Sequence, residues 1–143
     1  MGKEKLPGFD GCFVCDPSGL NPRSLALRFE WDDEQERIET SFAPAKDWCG
    51  FGGVVHGGIL TAIADDSMAW AAHQATGKWG VTANLTIRFL RPVYEGKQYT
   101  AYGRTIEVNG KKVKTGAKIV DASGKTCADI KALFVVMPDR SDV

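Results

Sequence analysis

The sequence is short of what a membrane or nucleic-acid protein needs. No apolar run approaches the roughly 18 residues of a membrane span. Neither sign of charge dominates: 18 Lys and Arg balance 18 Asp and Glu. Zero net charge disfavours nucleic acid or an anionic membrane as the main partner, and leaves room for a local basic patch facing a phosphorylated ligand. Met1-Gly2-Lys3-Glu4-Lys5 runs into Leu6, Pro7 and Gly8 with no apolar signal region behind it, so a cytoplasmic location is expected. There is no internal repeat and no low-complexity tract. Histidine is scarce, with only His56 and His73.

Cysteine is sparse too. Cys12-x-x-Cys15 sits in a turn-rich leader, FDGCFVCDPSGLNP, with no second pair to complete a zinc site. The leading reading is free thiols, so no metal and no cofactor are expected. A metal site completed by Cys49 or by a partner chain, and a redox pair, are the alternatives. Cys127, in a late strand pattern, reads as a small buried apolar residue.

What is present fits one globular domain: 143 residues, 43% hydrophobic and 25% charged. Residues 1–23 carry Pro7, Gly8, Gly11, Pro17, Gly19 and Pro22 without periodicity, an extension expected to wrap the surface or dangle. Residues 24–143 form the domain. Ser24 to Trp31 alternates, with Leu25, Leu27, Phe29 and Trp31 on one face, and should pair as a hairpin with Arg37 to Phe42. A Gly-rich loop follows, from Ala45 to Val55. One long helix then follows, with Gly57-Gly58 at its expected start and its end near Gly77, apolar almost all round and therefore buried on most sides. Four strand patterns end the chain: Val81–Arg91, Gln98–Val108, Lys112–Asp121 and Thr126–Met137. In the first, Val81, Ala83, Leu85, Ile87 and Phe89 share one face, and Thr82, Asn84, Thr86 and Arg88 the other. Tight turns, with Asn109-Gly110 the clearest, make the last three an antiparallel meander. One buried helix among six strands is best hidden by a curved antiparallel sheet, an α+β arrangement.

Asp65 and Asp66 stand in the middle of that helix. Aspartate is a poor interior helix former, and a buried carboxylate is costly unless paired or used. The pattern Gly53-Val54-Val55-His56-Gly57-Gly58, with Asp65 nine residues after the histidine, resembles the hotdog-fold thioesterases of the phenylacetyl-CoA thioesterase type. The strand Gly80-Val81-Thr82-Ala83-Asn84-Leu85-Thr86-Ile87-Arg88-Phe89, leading to Arg91-Pro92, is similar to that family's third strand. The resemblance covers roughly residues 24 to 137. It implies a hotdog fold, acyl-CoA thioester hydrolysis, Asp65 as nucleophile or general base, and an obligate homodimer that often pairs again into a homotetramer.

The residues themselves are consistent with that chemistry. Thioester hydrolysis needs donors where the carbonyl oxygen gains charge, and a carboxylate to attack the carbon or activate water. Gly57 and Gly58 occupy the first helical turn, where backbone N–H groups lack intrahelical partners and the helix dipole is positive. His56 is a candidate to orient the loop, bond the thioester or cap the helix. Thr82 matches a position where the family places a hydroxyl near the acid. At Gly50, six residues before the histidine, the family tends to carry Asn or Gln as a carbonyl contact, so this chain departs there. Asp66 lies about 100° further round the helix and reads as a pairing partner or a subunit-boundary residue. Arg88, Arg91, Lys78, Lys111, Lys112 and Lys114 are available for coenzyme A phosphates. Trp48, Phe51, Met68 and Trp70 are candidates to line an acyl pocket.

Gly57 and Asp65 are eight residues apart, about 12 Å along one helix. Reacting atoms must come within about 3.5 Å. A complete site therefore needs two chains with antiparallel helices. The alternatives are a non-catalytic acyl-CoA or aromatic-ligand binding protein, and a hydratase or dehydratase. The last is disfavoured by the lack of a strand-borne His-x-Asp pattern. Nucleic acid and membrane are not expected as partners.

Overall fold

A computed structural model describes residues 2–138. One 20-residue helix, α1 (Gly57–Thr76), packs across a seven-stranded antiparallel sheet. In chain order the strands are β1 (Lys3–Lys5), β2 (Glu30–Asp32), β3 (Arg37–Phe42), β4 (Cys49–Phe51), β5 (Val54–Val55), β6 (Gly80–Phe89), β7 (Tyr99–Asn109), β8 (Lys112–Asp121) and β9 (Thr126–Val136). The main sheet runs β1-β2-β3-β7-β8-β9-β6, and β4 with β5 forms a separate two-stranded ribbon. This is the hotdog arrangement expected from the order of elements. The sheet has seven strands where six were expected, because the leader adds β1 at one edge, against β2.

The helix buries Leu60, Ile63, Ala64, Met68, Trp70, Ala71 and Ala72. Facing them from the sheet are Ile38, Ala101, Val113, Ile119, Ile130 and Phe134, all essentially inaccessible to water. Gly77 ends the helix in the left-handed conformation (φ 71°), and its N–H closes the last turn on the His73 carbonyl. Seating depends on one position above the rest. A Cβ at Gly103 on β7 would lie 2.4 Å from the Ser67 carbonyl oxygen and 2.9 Å from the Ser67 Cβ. Only glycine lets the sheet approach the helix backbone this closely. Ser67 itself is fully buried, with its hydroxyl donating back to the Ile63 carbonyl at 2.8 Å.

Two expectations change. The alternation from Ser24 to Trp31 correctly marks Leu27 and Phe29 as buried, but only Glu30–Asp32 joins the sheet. Ala26 has φ 53°, which breaks the strand. The amides of Leu25 and Leu27 bond instead to the carbonyls of Phe13 and Val14 in the leader. The leader is thus folded against the domain, with Val14 and Cys15 in the core. The second change concerns β6. Its register against β9 shifts between Thr82 and Asn84, so Ala83 is an extra residue, a β-bulge. Residues directly opposite one another across two strands share a face. Thr82 opposes buried Phe134, while Leu85 and Ile87 oppose Ala132 and Ile130. Thr82 therefore shares the helix-facing side with Leu85, Ile87 and Phe89, against the strict alternation expected.

Gly103→Ala should destabilise the protein by about 1–3 kcal/mol, since neither backbone can yield without moving a whole element. Urea denaturation of the purified variant checks this; an unchanged midpoint would mean that the helix is seated otherwise.

Candidate active site

The helix start is built from the ribbon upward. Gly52 and Gly53 have φ of 56° and 75°, which a two-residue hairpin of this hand requires, and they join β4 to β5. The ribbon is tied down at two points: Val55 N–H donates to the Val93 carbonyl at 2.8 Å, and His56 N–H to the Trp48 carbonyl at 2.9 Å. His56 is the N-cap of α1. Its Nδ1 accepts from the Gly58 amide at 2.8 Å. An N–H can donate only to an unprotonated ring nitrogen, so the neutral ring carries its proton on Nε2. This cap engages the Gly58 amide. The Gly57 amide, at the first helical position, makes no hydrogen bond among the described residues. A cavity of about 280 Å³ adjoins Gly57, with Val55, Leu60, Phe89, Arg91 and Val93 in its wall. Gly50 lies beside the histidine: a Cβ there would sit 3.8 Å from the His56 Cδ2, an ordinary contact.

The acid lies further along the helix. Asp65 is half-buried, and its Oδ1 accepts a short hydrogen bond, 2.5 Å, from the Thr82 hydroxyl. The bulge at Ala83 is what turns that hydroxyl toward the helix. The second carboxylate oxygen of Asp65 accepts no hydrogen bond among the described residues. Asp66 faces a different neighbourhood. Its Oδ1 accepts from the Cys12 thiol at 3.6 Å. Burial pushes its carboxyl above the usual carboxylate range, with the thiols of Cys15 and Cys12 pulling the other way.

Two groups of candidates are thus each brought together, but not with one another. His56, Gly57, Gly58 and Gly50 gather at the helix start. Asp65 and Thr82 pair in the middle, and the cavity beside Gly57 includes neither of them. The aromatic candidates separate as well. Met68 and Trp70 belong to the core, Trp48 packs on Phe42, and Phe51 is exposed. Arg91 lines the cavity beside Gly57, and Arg88 is exposed on β6. The grouping of Cys12, Cys15 and Asp66 escaped the sequence reading, because only the fold brings the leader to mid-helix.

With the geometry in view, comparison with known proteins is informative. The family profile described as "Thioesterase superfamily" matches residues 52–128. A Saccharolobus solfataricus protein, named provisionally as an esterase, is 33% identical over 111 residues, covering 77% of this chain and 65% of that one. The chain spans 57% and 65% of the length of the two curated relatives it matches. Among solved structures, the Escherichia coli PaaI protein from the phenylacetic acid degradation operon superposes with TM-score 0.67 at 23% identity, over 72% of this chain and 74% of that one. A Streptococcus mutans protein solved bound to acetyl CoA gives TM-score 0.68 at 16% identity, over 73% and 84%. At such identities the two structures establish a shared fold. The profile spans more than half of this sequence, and with it the whole stretch from the helix cap through the acid to β9: the chain belongs to the thioesterase superfamily, on the hotdog fold.

Proposed function

We propose that the protein is an acyl-CoA thioesterase that acts as a homodimer with two composite sites. The observation that carries this reading is the pairing of an unengaged amide at the helix start, Gly57, with a carboxylate held by a hydroxyl at mid-helix, Asp65. The acetyl CoA held by the S. mutans relative supports coenzyme A as the substrate's carrier. The acyl carbonyl sits at the start of α1, where the Gly57 amide and the helix dipole receive the developing negative charge. Asp65 of the partner subunit activates a water with its free oxygen, while Thr82 fixes the other. Water adds to the carbonyl carbon, the carbon–sulfur bond breaks, and coenzyme A leaves as its thiol with a free acid as the second product.

Two features support dimerisation. About 12 Å of helix separates Gly57 from Asp65 in one chain, and β6 is a ten-residue edge strand with Val81 and Phe89 half exposed. An open edge of this length is a ready site for another chain. Arg91, in the wall of the cavity beside Gly57, is the cation best placed to meet a coenzyme A phosphate at the mouth.

A second reading, acyl-CoA binding without turnover, is favoured by one observation: Gly50 supplies no side chain where the family tends to have an amide. Saturable binding of acyl-CoA with no release of free thiol would establish it.

Proline at Gly57 tests the amide alone. The first helical position tolerates proline, and His56 before it has φ −59° and ψ 131°, the extended conformation that a following proline requires. Gly57→Pro should lower kcat by about 10²–10³, the usual cost of losing one donor to an oxyanion. Gly57→Ala carries the same Cβ contact with the Phe89 ring but keeps the N–H, and should retain most activity. Equal activity in the two variants, measured by thiol release from an acyl-CoA panel, removes the amide from the mechanism.

Asp65→Asn should cost about 10²–10⁴ in kcat. Mixing it with Gly57→Pro subunits should restore turnover, because one of the two sites in a mixed dimer has both groups intact. Failure of every mixing ratio to recover activity speaks against a site shared between subunits.

Gly50→Asn should raise kcat/KM about tenfold or more by adding a carbonyl donor, since a Cβ there makes only ordinary contacts with His56. A fall, or no change with folding intact, shows that this position does not contact the thioester.

A further inference from the structure

The leader and the middle of α1 meet at a cluster that the proposed hydrolysis does not use. The Sγ atoms of Cys12 and Cys15 and a carboxylate oxygen of Asp66 all lie within 4.8 Å of one another. The turn that carries the thiols is ordered by its own backbone. Cys12 N–H donates to the Phe9 carbonyl at 2.9 Å, Asp16 N–H to the Cys12 carbonyl at 3.1 Å, and Cys15 N–H to the Cys12 sulfur at 3.2 Å. An amide aimed at a sulfur steadies a thiolate in that place. Cys15 is 1% exposed and Cys12 half-buried. On the helix side, Asp66 Oδ2 is buried and has no hydrogen-bond partner among the described residues. A buried carboxylate oxygen without a partner is costly, and native folds seldom keep one without a use.

We infer that Cys12, Cys15 and Asp66 form a binding site for a thiophilic divalent metal ion of the zinc class. Two thiolates and one carboxylate are a donor set that Zn²⁺ accepts in tetrahedral geometry, with bonds of about 2.3 Å to sulfur and 2.0–2.2 Å to oxygen. Such bonds place a sulfur and an oxygen ligand roughly 3.5 Å apart; Cys12 Sγ and Asp66 Oδ1 are 3.6 Å apart. Three groups that can each give up a proton share one place, and their ligand atoms converge on a common point. A divalent cation bound there takes up both sulfurs as thiolates, releases their two protons to solvent, and is held by the Asp66 carboxylate in place of the Cys12 thiol proton.

The fourth coordination position opens on a cavity of about 250 Å³ lined by Phe9, Ala69, Trp70 and Trp79, which also supplies an entry path for the ion and room for a water ligand. His73 is outside the cluster; it stacks on Trp79 with ring centroids 4.1 Å apart. Cys49, one of the two completions open to the pair from the sequence, stands in β4 opposite Val55 and is not among the clustered ligands. The site would clamp the leader to the helix one residue from Asp65. Its role is structural, and the inference stands apart from thioester hydrolysis.

The test is a titration of the full-length, reduced, chelator-treated protein with Co²⁺ alone, followed by absorption. Thiolate-to-cobalt charge transfer and the visible bands of tetrahedral cobalt should saturate at one ion per chain, and Zn²⁺ should displace it. Cys12→Ser, at the more exposed cysteine, should weaken the charge-transfer band, and Asp66→Asn should reduce affinity at least tenfold. Zn²⁺ should also raise the Tm of the wild-type protein by several degrees, as a ligand of the native state alone does. The wild-type spectrum does not depend on any variant folding. Absence of thiolate charge transfer at stoichiometric Co²⁺ overturns the site, and so does an Asp66→Asn variant that binds as tightly as the wild type.

Discussion

The structure rests on how closely α1 approaches the sheet. Gly103 allows the helix backbone at Ser67 to lie against β7 with no side chain between them. That contact fixes the height and rotation of the helix. Once they are fixed, Leu60, Ile63, Ala64 and Met68 must point inward, and Asp65 and Asp66 are left on the flanks. Each carboxylate is then met by a different structure. β6 brings the Thr82 hydroxyl to Asp65, and the leader brings two thiols to Asp66. Neighbouring residues of one type thereby acquire different chemistry from what the fold sets beside them.

The helix start shows the same economy. One histidine caps the helix through Nδ1, engages the Gly58 amide, and leaves the amide of Gly57, a residue that lines the adjoining cavity, without that bond. The two glycines of the motif are therefore not equivalent. One completes the cap; the amide of the other makes no hydrogen bond among the described residues. A distinction of this kind is set by a hydrogen bond, not by residue type.

Much of the fold was legible in the sequence because its signals are local. Alternation gave β3 and the four late strands to within about two residues, Gly77 marked the end of the helix, and the number of strands around one apolar helix led to a wrapped sheet. The candidate site was legible as far as a local motif reaches: His56, the glycine pair, and an acid nine residues on, grouped by their resemblance to a family pattern. What could not be read is non-local. Nothing in Ser24 to Trp31 shows that Ala26 takes a positive φ and that its neighbours bond to the leader. Nothing in the leader shows that Cys12 and Cys15 will meet Asp66. Thr82 was identified by resemblance, but periodicity placed it on the wrong face, since a bulge adds a residue without altering composition.

That bulge has a consequence of its own. Ala83 divides β6 into two stretches whose phases are offset by one residue. From Leu85 to Phe89 the strand answers to the hydrophobic interior; before Ala83 it answers to the carboxylate. Thr82 and Leu85 therefore reach the same face although an odd number of positions separates them. A single ten-residue segment in this way meets both a carboxylate and a packed interior, joined at one small residue that belongs to neither ladder.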